Sequence, residues 1–198
     1  MGVEVLWFMP ISPIGEKNRK GKLGSYYSVK DYKAVNPEFG TMDDFKNLVN
    51  EIHQLGMYVL IDWVPNHSAW DNEWAIKHPD FYTKDSAGNF IPPVGTDWTD
   101  VNYDNQNMRT EMISALKFWI DSTKIDGFRC DHASGVPTDF WNRASIVLDS
   151  IKPVFMLAEA EQPDHQYLSF DAGYAWTLNH LLHSIAKGEK SVTDLDAY

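Results

Sequence analysis

Apolar runs and an amphipathic segment alternate over residues 3–61. The run 3–9 is apolar at all but one position and is followed by a proline, which predicts a buried strand. Residues 41–56 predict a helix, because Thr41 is a suitable N-cap, apolar residues recur at helical spacing and a glycine follows the last turn. The run 57–61 predicts a second strand, which ends at Asp62. Strand, helix and strand in this order form a βαβ unit.

A long irregular stretch, 67–107, then interrupts the pattern. It is polar, aromatic and marked by proline and glycine, and it is longer than an ordinary connection, so we expect an insertion or small subdomain. Regular patterns return after it. Helices are predicted over 108–120, over 137–151 with Pro137 in its first position, and over 176–186, and strands over 125–131, 154–158 and, less distinctly, 169–174.

Three of the predicted strands deliver a carboxylate where they end, namely Asp62, Asp131 and Glu159. Strands that alternate with helices predict a parallel α/β fold. An open doubly wound sheet would also gather its strand ends, but no glycine-rich phosphate loop follows any strand of this sequence. A (β/α) barrel is therefore favoured, and the carboxyl ends of barrel strands form the face that carries active sites.

The charge of the chain limits its partners. The 198 residues include 28 Asp and Glu against 17 Lys and Arg, which gives a formal net charge of −11. Such a field repels nucleic acid and anionic lipid, so we expect neither nucleic acid nor a membrane as partner, and a neutral substrate fits better. No apolar stretch approaches the roughly 18 residues of a membrane span, and no secretory leader is evident. The single cysteine, Cys130, excludes an internal disulfide and indicates no compartment.

Asp131 and Glu159 are candidates for the pair of carboxylates that breaks a glycosidic bond. One group protonates the leaving oxygen, and the other meets the positive charge that develops on the sugar. If the second group attacks the sugar directly, the configuration is retained and the carboxyls lie roughly 5–5.5 Å apart. Acids at strand ends are also common as helix N-caps and loop anchors, so the two residues by themselves leave that alternative open.

Three segments favour the catalytic role of these acids over the capping role, and each lies on its own predicted strand. They are DWVPNH at 62–67, GFRCD at 127–131 and FMLAE at 155–159. In these segments the chain resembles the α-amylase family of glycoside hydrolases, from its first strand to at least Glu159. The resemblance implies an incomplete (β/α)8 TIM-barrel catalytic domain with about the second to the sixth strand, and the stretch 67–107 as an insertion after the third family strand. It also implies α-glucans or related oligosaccharides as substrates.

The resemblance implies that Asp131 is the nucleophile and Glu159 the general acid/base. Arg129 lies on the same strand face as Asp131, and its charge is expected to lower the pKa of Asp131 and keep it ionised. A structural ion pair of Arg129 with Asp62 is a compatible alternative. Glu159 needs a raised pKa to donate a proton. Glu161 has the same strand parity and is the rival acid, ranked behind Glu159.

The same resemblance implies three further binding residues. His67 would hydrogen-bond the sugar in the cleavage subsite, with the role of a satisfied loop residue as its alternative. Asn66 matches a position that ligates calcium in many members, although a turn or capping role fits equally. Calcium takes six to eight oxygen ligands, and the ligands other than Asn66 are not evident from the sequence. Tyr27 would stack on a sugar ring, and Tyr26 and Tyr32 are core candidates.

The sequence departs from the family in two ways. The asparagine-histidine-aspartate motif with the third family carboxylate is missing, because Asn179 and His180 are followed by a leucine. We therefore expect a fragment of a larger enzyme, with little activity alone and with self-association through an open barrel. Many starch-acting members place a Lys-His pair where this chain has Ser134 and Gly135, so its leaving-group side differs from theirs. A transglycosylase, a sugar isomerase and a non-catalytic carbohydrate-binding fragment are the alternative functions.

Overall fold

The computed structural model describes residues 2–92 and 95–198. The strands in this part of the chain are β1 (Val5–Phe8), β2 (Tyr58–Trp63), β3 (His67–Ala69), β4 (Trp98–Asp100), β5 (Gly127–Cys130), β6 (Phe155–Ala158) and β7 (Ala172–Gly173). Five of them form one sheet in the order β1-β2-β5-β6-β7, and every pair in it is parallel. The short strands β3 and β4 pair antiparallel in a separate sheet.

The α-helices lie between these strands along the chain, except the last one, which follows β7. They are α1 (Met42–Gln54), α2 (Glu73–Lys77), α3 (Gln106–Thr123), α4 (Thr138–Asp149) and α5 (Trp176–Ala186). Thr41 is the N-cap of α1, as predicted, and it forms a capping box with Asp44 in which each side chain accepts from the backbone of the other. Pro137 precedes α4 instead of opening it, because its ψ of 136° is extended and places it at the N-cap.

The stretch 67–107 holds short elements that its sequence pattern did not reveal. β3, α2 and β4 are three to five residues long, which is too short for a periodic pattern to emerge. Pro93 and Val94, which belong to this predicted insertion, lie outside the described residues. The boundary of the insertion at 67–107 stays a prediction.

The main core lies between the sheet and its helices. Apolar residues on the helix-facing side of the strands, among them Ile61, Phe128 and Met156, are almost fully buried. They belong to the same apolar cluster as Trp119 of α3 and Trp141 of α4. Because consecutive side chains of a strand point to opposite faces, the alternate residues form the other, concave face of the sheet.

That concave face is apolar at one end of the strands and charged at the other. At the amino ends lie the side chains of Val5, Tyr58 and Phe155, which are 47%, 58% and 44% exposed. At the carboxyl ends lie Asp62 and Arg129, which are paired in register on β2 and β5. A curved parallel sheet with helices on its outer face confirms the predicted TIM-barrel type of fold, present here as a partial barrel. Within the described residues, no helix combines the length and apolarity that a membrane crossing requires.

Candidate active site

Arg129 is the centre of a buried cluster at the carboxyl ends of the strands. Its Nη1 donates to Asp62 at 3.0 Å and to Asp131 at 2.9 Å, and its Nη2 lies 2.6 Å from Glu159 Oε1. The side chains are buried to different degrees: Asp62 is fully buried, Asp131 is 13% exposed and Glu159 is 25% exposed. One guanidinium therefore holds all three predicted strand-end carboxylates together.

The two-residue period of the strands explains this convergence. Asp131 follows Arg129 by two positions, so both side chains point to the concave face. Glu159 follows Leu157, the register partner of Arg129 on β6, by the same two positions. The ladder also continues beyond the assigned strands, because Asp131 N donates to Trp63 O at 2.8 Å and Glu159 N donates to Cys130 O at 3.0 Å. The backbone geometry thus directs both carboxylates to the same end of the concave face, independently of their side-chain interactions.

Two aromatic rings hold the guanidinium from either edge of the sheet. The Cζ atom of Arg129 lies 5.2 Å from the ring centroid of Trp7 on β1 and 5.4 Å from that of Tyr174, which follows β7. Arg129 Nε also donates to the Tyr174 hydroxyl at 3.2 Å. Sequence reasoning did not single out either ring. The position of Trp7 on the concave face, readable from strand parity, is the signal that could have identified it.

Glu159 is held at both of its carboxylate oxygens. Oε1 contacts Arg129, and Oε2 accepts from the backbone N–H of His132 at 2.9 Å. His132 has φ of 44°, in the left-handed region that residues other than glycine rarely adopt. This conformation turns the chain directly after Asp131. The loop after β5 therefore contributes to the placement of the carboxylate on β6.

The pKa of Asp131 is raised, not lowered as expected from the neighbouring arginine. Burial raises it to about 6; the Arg129 charge acts in the opposite direction, and the adjacent Glu159 charge raises it further. Burial likewise raises the pKa of Asp62 to about 7 against the effect of Arg129. The expectation was wrong because it considered one favourable charge and neither the desolvation nor the second carboxylate. With three carboxylates around one guanidinium, the cluster retains a proton close to neutral pH.

Glu161 is separated from this cluster. Its carboxylate accepts from Thr177 N at 2.7 Å and from Thr177 Oγ1 at 2.6 Å, in the first turn of α5. These hydrogen bonds lower the pKa of Glu161. The rival acid is thus engaged at a helix N-terminus, where a negative charge is stabilised, while Glu159 lies beside Asp131.

The three tyrosines differ in their surroundings. The Tyr27 hydroxyl donates to Asp62 Oδ2 at 3.3 Å, so this half-buried ring borders the cluster. Burial first, and then the Asp62 charge, raise the pKa of Tyr27 to about 12. Tyr32 is 3% exposed and donates to the carbonyl oxygens of Val64 and His67, both at 2.9 Å, which makes it a core residue. Tyr26 stacks on Phe39 with ring centroids 6.2 Å apart.

His67 is buried beside the ring of Trp98, with the ring centroids 5.0 Å apart. Burial lowers the pKa of His67 to about 4, with the His132 charge acting in the same direction, so the ring is neutral. Its Nδ1 lies 3.4 Å from the amide nitrogen of Asn66, and its Nε2 has no partner in the described part of the chain. With Nδ1 accepting from that amide, the ring carries its proton on Nε2. A buried N–H without a partner is able to donate to a ligand hydroxyl.

The role of Asn66 as a calcium ligand stays a prediction, and the contacts of its side chain in the structure are with protein groups. Its amide nitrogen faces His67, and its Oδ1 lies where a Cβ on Gly135 would be. Calcium requires six to eight oxygen ligands. In residues 2–92 and 95–198, no group of three or more His, Cys, Asp or Glu side chains is arranged to hold a metal ion. Asn66 is also not the cap of a described helix, so its contacts are with His67 and the loop after β5.

A family model and individual relatives show what this chain is similar to. The family model described as "Alpha amylase, catalytic domain" matches residues 1–97. Alpha-amylase 3 of Dictyoglomus thermophilum is 26% identical, over 90% of this chain and 40% of its own length. An α-1,4-glucan:maltose-1-phosphate maltosyltransferase of Corynebacterium glutamicum is 29% identical, over 96% of this chain and 31% of its own length.

Solved structures also match most of this chain. The crystal structure of an α-amylase from Lactobacillus plantarum superimposes with a TM-score of 0.91 and 34% identity, over 96% of this chain and 49% of that one. The chain thus spans about half the length of this solved relative and less of the two sequence relatives. The sequence motifs, the partial barrel and these matches together place the chain in the α-amylase family of glycoside hydrolases.

Proposed function

We propose that this chain carries the nucleophile and the general acid/base of a retaining hydrolase that acts on α-glucans or related oligosaccharides. The observation that carries the proposal is the contact of Asp131 and Glu159 with the same guanidinium, within 2.9 Å and 2.6 Å of its two terminal nitrogens. Two carboxylates that share one cation lie within reach of a single glycosidic bond. Both are partly exposed, whereas Asp62 is fully buried and engaged by Arg129 and Tyr27.

The reaction proceeds by double displacement. The Asp131 carboxylate attacks the anomeric carbon while the bond from that carbon to the leaving oxygen breaks, and Glu159 gives its proton to that oxygen. A water molecule then attacks the same carbon and gives a proton back to Glu159, which releases Asp131 and returns both groups to their starting states.

The electrostatics of the cluster suit this division of roles. A carboxyl with a pKa of about 6 is mostly ionised at pH 7, so Asp131 is available as a nucleophile. Arg129 attracts the ionised carboxylate of Asp131, whereas the Glu159 charge beside it repels that carboxylate. Arg129 thereby stabilises the ionised nucleophile and also orients the acid.

The sugar-binding roles follow from the residues around the cluster. The unpaired Nε2–H of His67 supports a hydrogen bond to a hydroxyl of the attacked sugar. The ring of Tyr27 borders Asp62 and supports an apolar contact with the same sugar. The stretch 67–107, which carries His67 and Trp98, is proposed as a subdomain that forms one wall of the cleft.

Covalent labelling tests the proposal without requiring full turnover. The chain is incubated with 5-fluoro-α-D-glucosyl fluoride, whose fluoride leaving group needs no proton from Glu159, and the adduct is located by peptide mass spectrometry. We expect slow, stoichiometric labelling at Asp131, abolished in Asp131→Asn. Glu161→Gln is the matched control and should be labelled as the unchanged chain is. Labelling at another residue, or none over a day at saturating reagent, would refute the assignment.

Transfer to a sugar acceptor is the second candidate, favoured by the maltosyltransferase among the relatives. It uses the same carboxylates and differs only in whether water or a sugar hydroxyl resolves the intermediate. Product analysis on maltooligosaccharides separates the two: shorter reducing sugars alone indicate hydrolysis, whereas longer products indicate transfer.

A further inference from the structure

Tyr174 contacts both Arg129 and the backbone that carries one of the carboxylates. Its hydroxyl accepts from Arg129 Nε at 3.2 Å, and its ring centroid lies 5.4 Å from Arg129 Cζ. Its backbone N–H donates to two carbonyl oxygens, those of Ala158 and Ala160, each at 3.1 Å. These two residues flank Glu159 in the sequence. Tyr174 thus connects the guanidinium with the segment that bears the proposed general acid/base.

The position of Tyr174 is restrained from two sides. Gly173 lets the chain before it run close to the segment after β6, because a Cβ on this glycine would lie only 2.9 Å from Ala160 O. The ring of Tyr174 is held by Trp176, which stands edge-on to it with the ring centroids 5.3 Å apart. Neither restraint involves Arg129, so the hydroxyl is a fixed acceptor for the arginine.

The hydroxyl of Tyr174 accepts from the part of the guanidinium that the carboxylates do not contact. A guanidinium is planar with five N–H donors in a fixed fork, so the direction of Nε–H determines where both terminal nitrogens point. In this cluster Nη1 faces Asp62 and Asp131, while Nη2 faces Glu159. Rotation of the group would break at least one of these contacts and would leave the Nε–H without a partner in a mostly buried site.

Trp7 contacts the same guanidinium but does not fix its rotation. Its ring centroid lies 5.2 Å from Arg129 Cζ. A cation–π contact is formed with the face of the ring and does not select one N–H of the cation. The indole N–H is itself a donor, so it cannot accept from a guanidinium. The hydrogen bond to Tyr174 does select one N–H, and the two rings therefore differ in role.

We propose that Tyr174 is a positioning residue for the reaction, because it fixes the orientation of Arg129 so that one terminal nitrogen stays on each of two carboxylates. These are the nucleophile Asp131 and the general acid/base Glu159. The inference rests on the proposed function, which assigns those two roles. Tyr174 acts through Arg129 and through the backbone on either side of Glu159.

The carboxyl pKa of Asp131 tests this role, because it responds to the position of the guanidinium. Arg129 lowers this pKa, whereas burial and the Glu159 charge raise it, and Asp62 is the remaining charged partner of the guanidinium. The aspartate carboxyl carbons are labelled with ¹³C, and the Asp131 resonance, identified by its loss in Asp131→Asn, is followed from pH 4 to pH 9. We expect the pKa to rise by about half a unit in Tyr174→Phe, a fraction of the one to three units that an adjacent opposite charge contributes. Tyr174→Leu, which also removes the ring, should give a larger rise.

Tyr103→Phe is the matched control. It removes a buried tyrosine hydroxyl that donates to Pro65 O at 3.0 Å, so it loses a comparable hydrogen bond outside the cluster. It should lower the free energy of unfolding and leave the pKa of Asp131 unchanged.

Labelling kinetics with 5-fluoro-α-D-glucosyl fluoride give a second readout. In Tyr174→Phe the limiting rate of labelling at Asp131 should fall roughly three- to tenfold, because the nucleophile is less well placed. The half-saturating concentration of the reagent should stay the same, since the substitution does not change the groups that bind the sugar. Tyr103→Phe should change neither quantity.

The outcomes separate this role from the proposed function. An Asp131 pKa that is the same in the unchanged chain and in Tyr174→Phe would overturn the positioning role, and so would an equal shift in Tyr103→Phe. Labelling at Asp131 with a rate that does not respond to Tyr174 would overturn the role and leave the function intact. A pKa shift confined to the Tyr174 variants, without labelling of the unchanged chain, would support the positioning and overturn the proposed reaction. Tyr174→Phe removes one oxygen atom, so it keeps the test decisive if Tyr174→Leu does not fold.

Discussion

The indole of Trp7 lies 5.2 Å from the guanidinium carbon of Arg129, although β2 separates their strands in the sheet. Tyr174, beyond the opposite edge of the sheet, lies 5.4 Å from the same carbon. Both edges of the sheet thus reach its central strand across the concave face. The same guanidinium therefore contacts rings from both edges of the curved sheet and the carboxylates at its centre.

Removing the ring of Trp7 should weaken the fold through this contact. Trp7→Leu loses the cation–π interaction, which is worth about 0.5–1 kcal/mol at a partly exposed site. Phe155→Leu is the control, because Phe155 is equally exposed on the same face of the sheet. We expect urea denaturation to give a lower free energy of unfolding for Trp7→Leu by about that amount. Equal values for the two variants would show that the ring contributes only apolar area.

Replacing Arg129 should be far more damaging. Arg129→Met removes the cation and leaves three carboxylates close together in a mostly buried site, which is expected to cost about 3–5 kcal/mol in the free energy of unfolding. Asp62→Asn added to it should recover part of that loss, because it removes one of the uncompensated charges. Additive effects of the two substitutions in denaturant titrations would argue against a coupled cluster.

The raised pKa values of Asp131 and Asp62 predict how stability depends on pH. In the unfolded chain both groups have the ordinary value near 4, while in the folded chain the values are about 6 and about 7. Between these limits the folded state binds more protons, so the stability from these groups is complete below pH 4 and is lost as the pH rises to 7. His67 opposes the trend, because its lowered pKa destabilises the folded state as the pH falls from 6.5 to 4.

Amide variants isolate the carboxyl contribution to this profile. Relative to the unchanged chain, Asp62→Asn and Asp131→Asn should gain more than about 1 kcal/mol in the free energy of unfolding on going from pH 4 to pH 7. The measurement is a series of urea denaturations across this range. Asp71→Asn, outside the cluster, serves as the control. Parallel pH profiles for all four proteins would refute the predicted shifts.

The apolar end of the concave face should cause self-association. Val5, Tyr58 and Phe155 are all more than two fifths exposed and lie on one face. We expect light scattering to show a mass that rises with protein concentration, and Tyr58→Glu to reduce this rise. Leu55→Glu, on an exposed residue at the end of α1, is the control and should not. A monomer at every concentration would contradict the prediction.

Turnover by this chain alone should be low. No asparagine-histidine-aspartate segment is present in the sequence, and Asp62 cannot replace that carboxylate because it is fully buried. We expect starch hydrolysis by the purified chain to be at least about a hundredfold below that of typical enzymes, which turn over at about 10 s⁻¹. Robust hydrolysis that Asp131→Asn abolishes would show that the third carboxylate is dispensable.

The local pattern of the sequence was sufficient for most of the secondary structure. Apolar runs of strand length, the Thr41 cap and the helical spacing after it identify β1, α1 and β2, because these signals depend on near neighbours. The sequence pattern did not predict the elements inside 67–107, since β3 and β4 are only three residues long and derive their stability from pairing with each other. Trp7 and Tyr174 were not identified as site residues for a similar reason, because they contact Arg129 only in a curved sheet.

The sequence by itself determined which carboxylates stand at strand ends and on which strand face, since alternation along a strand is a local geometric rule. Only the tertiary structure decided their electrostatics. Burial and the proximity of Glu159 outweigh the effect of the arginine and raise the pKa of Asp131. Glu161 instead accepts a hydrogen bond from Thr177 at the start of α5, away from the cluster. Desolvation and charge–charge interaction depend on distances between residues far apart in the chain, and the order of residues does not encode those distances in any local pattern.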